Sequence, residues 1–183
     1  MGEPKPLLKF NQDSTFLERI ISTYKSAGID EIVTVVNTEV ADLIQESGIH
    51  FFKDHRFILN QYPERGRLYS IKVGLSEKGE RSLAFLQNID NPLVDNETLK
   101  LLMKNFKVAD YAVPVFQKKS GHPLLINDKL INELKKDRLD DQNLRDVLAK
   151  YKRCEVGVND PGILVNINTR KDYMRYFGHS SSI

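Results

Sequence analysis

Cysteine is nearly absent from this chain: Cys154 is the single one in 183 residues. That excludes an internal disulfide and predicts a reducing, cytoplasmic setting. No apolar run approaches the ~18 residues of a membrane span, and no signal-peptide core precedes the fold, so no membrane partner is expected. Gly2 fails as a myristoylation site because Pro6 occupies the hydroxyl position of that motif. Charge of one sign is not in excess either. The formal net charge is +2, and basic pairs such as Lys118-Lys119 and Lys152-Arg153 are scattered. A nucleic-acid stripe is therefore not expected. His50, His55 and His179 lack metal-ligand spacing, and neither a Cys/His zinc pattern nor a Ser-His-Asp order is present.

What is there is ordinary for a folded domain: 40% hydrophobic and 28% charged residues. A chain of this length buries roughly 70% of its unfolded surface. Thr15-Phe16-Leu17-Glu18 reads as a capping box ahead of a helix that Gly28 ends. The β-branched run 32–36 suits a buried parallel strand. A helix from Thr38 to Glu46, stopped by Gly48, and a strand over 49–52 follow. Residues 54–66 show no period and are expected to form a loop, and 68–75 a short helix. Leu83–Leu86 predicts another buried strand, ending at Asp90-Asn91-Pro92. Leu99, Leu102, Met103 and Phe106 share a helical face. The stretches 111–116 and 123–126 flank Lys118-Lys119-Ser120-Gly121 as an antiparallel hairpin. Leu144, Val147, Leu148 and Tyr151 mark a further helix. Runs 156–158 and 163–165 are expected to close the sheet, and Thr169 to cap a last helix to Phe177. The alternation predicts an α/β fold, a mostly parallel mixed sheet with helices on both faces. Residues 1–177 are read as one domain and 178–183 as a frayed tail. Chemistry belongs just after the strands, where ligands of such sheets bind.

Five features stand at such places. Asp90 follows a strand and is held by Asn91-Pro92; it is a candidate Mg²⁺ ligand, although Asp-Asn-Pro is also an ordinary turn. Lys5 could hold a triphosphate as a point charge, or be a surface lysine. Gly66 to Ser70 opens a helix whose free N–H groups suit an anion or a base edge, or is a plain junction. Gly121-His122-Pro123 could position an acceptor phosphate, or leave His122 solvated. Asp160-Pro161-Gly162 leads an apolar strand into Asn166 and Asn168, which would project to one face.

In this order, Met1-Gly2, Lys5, Leu7-Leu8, Thr15 to Arg19, Ala27 to Val33, Gly66, Ser70, Gly74-Leu75, Asp90 to Val94, Gly121-His122-Pro123 and Asp160 to Leu164 carry a resemblance. The chain resembles the MobA-like nucleotidyltransferases over residues 1 to about 177, and within them the molybdenum-cofactor cytidylyltransferase branch. The resemblance implies a Rossmann-like fold and transfer of a nucleoside monophosphate from CTP or GTP to the phosphate of molybdopterin, with Mg²⁺ as cofactor. It implies that Asp90 and Lys5 are catalytic, with Lys5, Gly66 and Ser70 on the nucleotide, Gly121, His122 and Pro123 on the acceptor, and Asp90 and Asn168 on the metal. A molybdoenzyme or a second copy of the chain are further expected partners.

Two departures from the family pattern are visible. The family has an apolar strand and a Leu-Ala-Ala-Gly-x-Ser-x-Arg loop directly before Met-Gly, so the expectation here is a missing first central strand and a truncated reading frame. Three lost aliphatic side chains at about 1.5–3 kcal/mol each amount to roughly 5–9 kcal/mol. Asn166 and Asn168 stand where the family usually has aspartates. These departures keep a second reading open, a non-catalytic relative that binds cofactor or a partner protein. Transfer to another phosphate acceptor is a third.

Overall fold

Residues 124–126 show how this sheet is built. Leu124 and Ile126 pack on one side, and Leu125, pointing the other way, is 1% exposed on the opposite side. Tyr111, Val113 and Ala112 divide in the same manner, as the two-residue period of a strand requires. In chain order, a computed structural model describing residues 4–47, 55–77, 82–136 and 142–178 has seven strands. They are β1 (Ile32–Val36), β2 (His55–Leu59), β3 (Leu83–Leu86), β4 (Tyr111–Phe116), β5 (Lys119–Ser120), β6 (Leu124–Asn127) and β7 (Arg153–Gly157). The helices are α1 (Phe16–Ser26), α2 (Thr38–Glu46), α3 (Gly66–Leu75), α4 (Asn96–Asn105), α5 (Asp128–Leu134), α6 (Leu144–Leu148) and α7 (Arg170–Phe177). Helices α3, α5 and α6 cover one face; α1 and α4 cover the other.

The strands form two sheets among the described residues. β1 and β2 pair in parallel, with Ile32 opposite His55 and Val36 opposite Leu59. The larger sheet runs β3-β6-β4-β5, with β7 parallel to β4. β6 is antiparallel to both β3 and β4, so β3, β4 and β7 share one direction. Val36 shares a cluster with Ile89, and Ile32 one with Phe85; β1 therefore runs the same way as β3. Five of the seven strands, β1, β2, β3, β4 and β7, point alike, and the short β5–β6 return is reversed.

No described strand joins β1 to β3. A cavity of about 1000 Å³ lies between them, lined by Ile32 to Val35 and Ser82 to Asp90. Helices α1 and α3 straddle this seam. Leu17 and Ile21 pack on Val36 while Tyr24 and Ala27 pack with Leu99 and Phe85. On the other face Leu68 and Leu75 join the larger core, and Gly74 sits so near β1 that an added Cβ would come within 2.9 Å of Val35.

The seam explains the first corrections. β1 and β3 are strands, yet only Val36 and Leu86 are buried, and Leu83 is 40% exposed. Their free edges face the cavity, so the apolar runs that suggested burial are half-covered. Met103 is likewise 36% exposed at the cavity, while Leu99 and Leu102 on the same helix are fully buried. The expected loop 54–66 contains β2: its burial is so slight, with Phe57 and Leu59 exposed, that the ladder to β1 defines it instead of an amphipathic period. The strand expected over 49–52 and the stop at Gly48 lie outside the described residues, as does the tail beyond Gly178.

Residues 163–165 do not close the sheet. Pro161–Leu164 is a 3-10 turn, begun by Pro161 and by the Asp160 carboxylate accepting from Gly162 N at 2.8 Å. The closing strand is β7, three residues earlier than the run 156–158. The helix starts are as the sequence indicated: Thr15 and Thr169 each form a two-way capping box, with Glu18 and Asp172. α3 begins two residues before the expected start, at Gly66, and α6 ends at Leu148 rather than Tyr151.

Candidate active site

Asp90 stands four residues beyond β3, on the cavity wall. Its backbone is stitched to a distant segment: Ile167 N donates to Asp90 O at 2.8 Å. Asn91, fully buried, donates from Nδ2 to Val165 O at 2.7 Å and to Asn166 Oδ1 at 2.6 Å. These three bonds fix the turn that carries the carboxylate. Asp90 Oδ2 lies 3.6 Å from Lys5 Nζ, while Oδ1 is buried and has no hydrogen-bond partner among the described residues. A buried oxygen without a partner costs free energy unless a ligand completes it.

Lys5 opens a single 3-10 turn, Lys5–Leu7, with Pro4 before it. Its ammonium donates to Asn168 Oδ1 at 2.7 Å as well as facing Asp90. Residues from three remote parts of the chain, 5, 90 and 168, thus meet at one point. The premise for Asn166 and Asn168 sharing a strand face does not hold, since residues 161–164 form a turn. Instead Asn166 is engaged by Asn91 and Asn168 by Lys5.

The segment that follows β5 comes near the same place, where His122 feels the charge of Asp90. Gly121 N donates to Pro114 O at 3.0 Å and His122 N to Ile163 O at 3.0 Å. A Cβ on residue 121 would stand 2.2 Å from Ile163 O, so only glycine permits this approach. The His122-Pro123 peptide is cis. His122 Nδ1 is buried without a hydrogen-bond partner among the described residues. Burial lowers the His122 pKa below its usual value, the Arg67 charge lowers it further, and Asp90 opposes both. His122 is therefore neutral near pH 7.

Gly66, at φ +80°, turns the chain into α3. Ser70 Oγ accepts from Asn60 Nδ2 at 3.0 Å and donates to Gly66 O at 3.4 Å. Asn60, 3% exposed, follows β2 and also accepts from Tyr62 N at 2.8 Å. Ser70 and Arg67 line the same cavity as Asp90. Of the sequence candidates, Lys5, Asp90 and Asn168 are brought together directly. His122 lies within the fields of Asp90 and Arg67, and Gly121 and Pro123 shape the hairpin. Ser70 lines the cavity from α3, and Gly66 opens that helix.

Sequence reasoning does not single out Arg67, Asn91 or Asn60 as site candidates. Arg67 was visible only as one letter of a loop–helix junction. Asn91 looked like part of a turn, although a buried Asn facing two partners 74 and 75 residues away has no local signal.

The donor set bears on a cation. Among the described residues no three His, Cys, Asp or Glu gather as a cage. One carboxylate with an unpartnered oxygen, beside a carboxamide oxygen, does suit Mg²⁺, which takes one or two carboxylates plus phosphates and waters. The residues present fit a metal that arrives with a phosphate ligand.

A comparison with curated proteins gave no match. Solved structures share the fold. Rv0371c from Mycobacterium tuberculosis, in a complex with manganese, superposes with a TM-score of 0.78 at 23% identity, over 97% of this chain and 93% of that one. The 4-diphosphocytidyl-2C-methyl-D-erythritol synthase of Anaerococcus prevotii gives 0.75 at 14% identity, over 96% and 93%. The molybdopterin-guanine dinucleotide biosynthesis protein A of Archaeoglobus fulgidus gives 0.68 at 18% identity, over 100% and 93%. No described helix is long and apolar enough to cross a membrane. The MobA-like NTP transferase domain matches residues 1–154, and the chain belongs to that family of nucleotidyltransferases.

Proposed function

We propose that this protein transfers a nucleoside monophosphate from CTP or GTP to the phosphate of molybdopterin, with Mg²⁺ as cofactor and release of pyrophosphate. The observation that carries this reading is the meeting of Lys5, Asp90 and Asn168 at the carboxyl end of β3, with one Asp90 oxygen buried and unpartnered. An oxygen of the acceptor phosphate attacks the donor α-phosphorus; the bond to the bridging oxygen breaks, and pyrophosphate leaves with that electron pair. Positioning and electrostatic stabilisation are the main levers for such a reaction.

Asp90 and Asn168 would hold Mg²⁺, which supplies positive charge against the phosphoryl oxygens. Lys5 adds a second positive charge and holds Asn168 in place. Ser70 and the start of α3 face the nucleotide. Gly121, His122 and Pro123 present a rigid hairpin to the acceptor, and a neutral His122 offers it a hydrogen bond without an added charge.

The test is pyrophosphate release by the purified chain with molybdopterin, Mg²⁺ and each of CTP, GTP, ATP and UTP in turn. CTP or GTP should support release that requires molybdopterin, and Asp90→Ala should lower it by ~100-fold or more with an unchanged circular dichroism spectrum. Turnover unaffected by Asp90→Ala, or no release with any of the four, would sink the proposal. Transfer to a sugar or alcohol phosphate is a second reading, raised by a neighbour of the same fold that is a 4-diphosphocytidyl-2C-methyl-D-erythritol synthase. Replacing molybdopterin by 2C-methyl-D-erythritol 4-phosphate in the same assay separates the two.

A further inference from the structure

Three basic side chains interact electrostatically with the carboxylate of Asp90, and they are not equivalent. Lys5 is already engaged, donating to Asn168 Oδ1 at 2.7 Å and lying 3.6 Å from Asp90 Oδ2. His122 is buried on its Nδ1 side and is held neutral by its surroundings. Arg67 differs from both. It lines the cavity with Ser70 and Asp90, solvent reaches its side chain, and among the described residues it makes no hydrogen bond or ion pair.

One of these cations, Arg67, thus has no hydrogen-bond or ion-pair partner among the described residues. A guanidinium always carries its charge, and its planar fork matches two phosphate oxygens at once. Arg67 also sits in the first turn of α3, where backbone N–H groups point away from the helix and favour an anion. A structural role would leave it paired with a carboxylate or a carbonyl, and among the described residues it is paired with neither. Partial burial against the cavity wall lowers the Arg67 pKa and the charge of Asp90 raises it, while the Arg67 charge in turn lowers that of His122.

We infer that Arg67 is an anion-binding residue of this site, which takes the polyphosphate of the nucleoside triphosphate through its guanidinium. The assignment rests on the nucleotidyl-transfer reading for the identity of the anion, and on the cavity geometry for its position. Its exposure means that substitution removes a binding group without opening the core.

The experiment is calorimetric titration of the purified chain with inorganic tripolyphosphate in EDTA, so that neither metal nor turnover is involved. Arg67→Gln is expected to weaken binding at least tenfold. Arg67→Lys should recover part of it, because charge is kept and the fork is lost. Lys171→Gln, an exposed change outside the site, should leave it unchanged. In the transfer assay Arg67→Gln should raise the KM for the triphosphate more than it lowers kcat. Equal tripolyphosphate affinity in the native chain and in Arg67→Gln would overturn the assignment, as would no binding by the native chain. If binding depends on Arg67 while no pyrophosphate is released, the anion site stands and the transfer reading falls; turnover with tripolyphosphate binding indifferent to Arg67 has the opposite meaning.

Discussion

The β1–β2 pair and the larger sheet stand on either side of one cavity, yet the central strand of the larger sheet is bonded along both edges while β1 is bonded along only one. In the larger sheet β4 has β6 and β5 on one side and β7 on the other, and Ala112, Leu125 and Ile126 are 0–1% exposed. In the pair, β1 has β2 along one edge and the cavity along the other, and four of its five residues are half-buried. Apolar strands are fully covered in one place and half-covered in the other, because ladder and burial come from neighbours. The site draws on both regions. Asp90 and the hairpin belong to the larger sheet, while Asn60, which holds Ser70, belongs to the pair.

The largest expected difference is in local opening. Amides of Val33 to Val36 should exchange with deuterium at least ~100-fold faster than those of Ala112, Leu125 and Ile126, a gap of about 3 kcal/mol in opening free energy. Equal protection across the two sheets would erase the comparison. A smaller effect is expected from pH. His55 begins β2, donates to or accepts from Thr34 Oγ1 at 2.8 Å, and its pKa is lowered to about 4, first by burial and then by the charge of Lys25. The unfolded chain binds a proton near pH 6.5 that the folded chain refuses until about pH 4, so stability is full above 6.5 and falls as the pH drops through that window. The contribution is no more than about 3 kcal/mol. His55→Gln should flatten the melting temperature between pH 6.5 and 4 relative to the native chain; an unaltered slope would remove His55 from the account.

Much of this was legible in the sequence. Capping boxes are local, so Thr15 and Thr169 announced α1 and α7 correctly, and the alternation of elements announced the α/β class. The hairpin was equally readable, because the apolar runs flanking Lys118 to Gly121 have turn chemistry between them. What failed did so for non-local reasons. β2 lacks a hydrophobic period because it is held by its ladder to β1. Residues 163–165 are as apolar as a strand, but Pro161 and the Asp160 carboxylate wind them into a turn. At the site, Lys5 and Asp90 stand out through their order in the chain, whereas the role proposed for Arg67 depends on its having no partner among the described residues, which no spacing reveals.

The most direct measurement is Mn²⁺ binding followed by electron paramagnetic resonance, with a non-hydrolysable CTP or GTP analogue present. The native chain should remove free Mn²⁺ signal beyond what the nucleotide alone removes, and Asp90→Ala should behave like the nucleotide alone. Retention of the full ternary complex in Asp90→Ala would contradict the placement of the cation at this strand end.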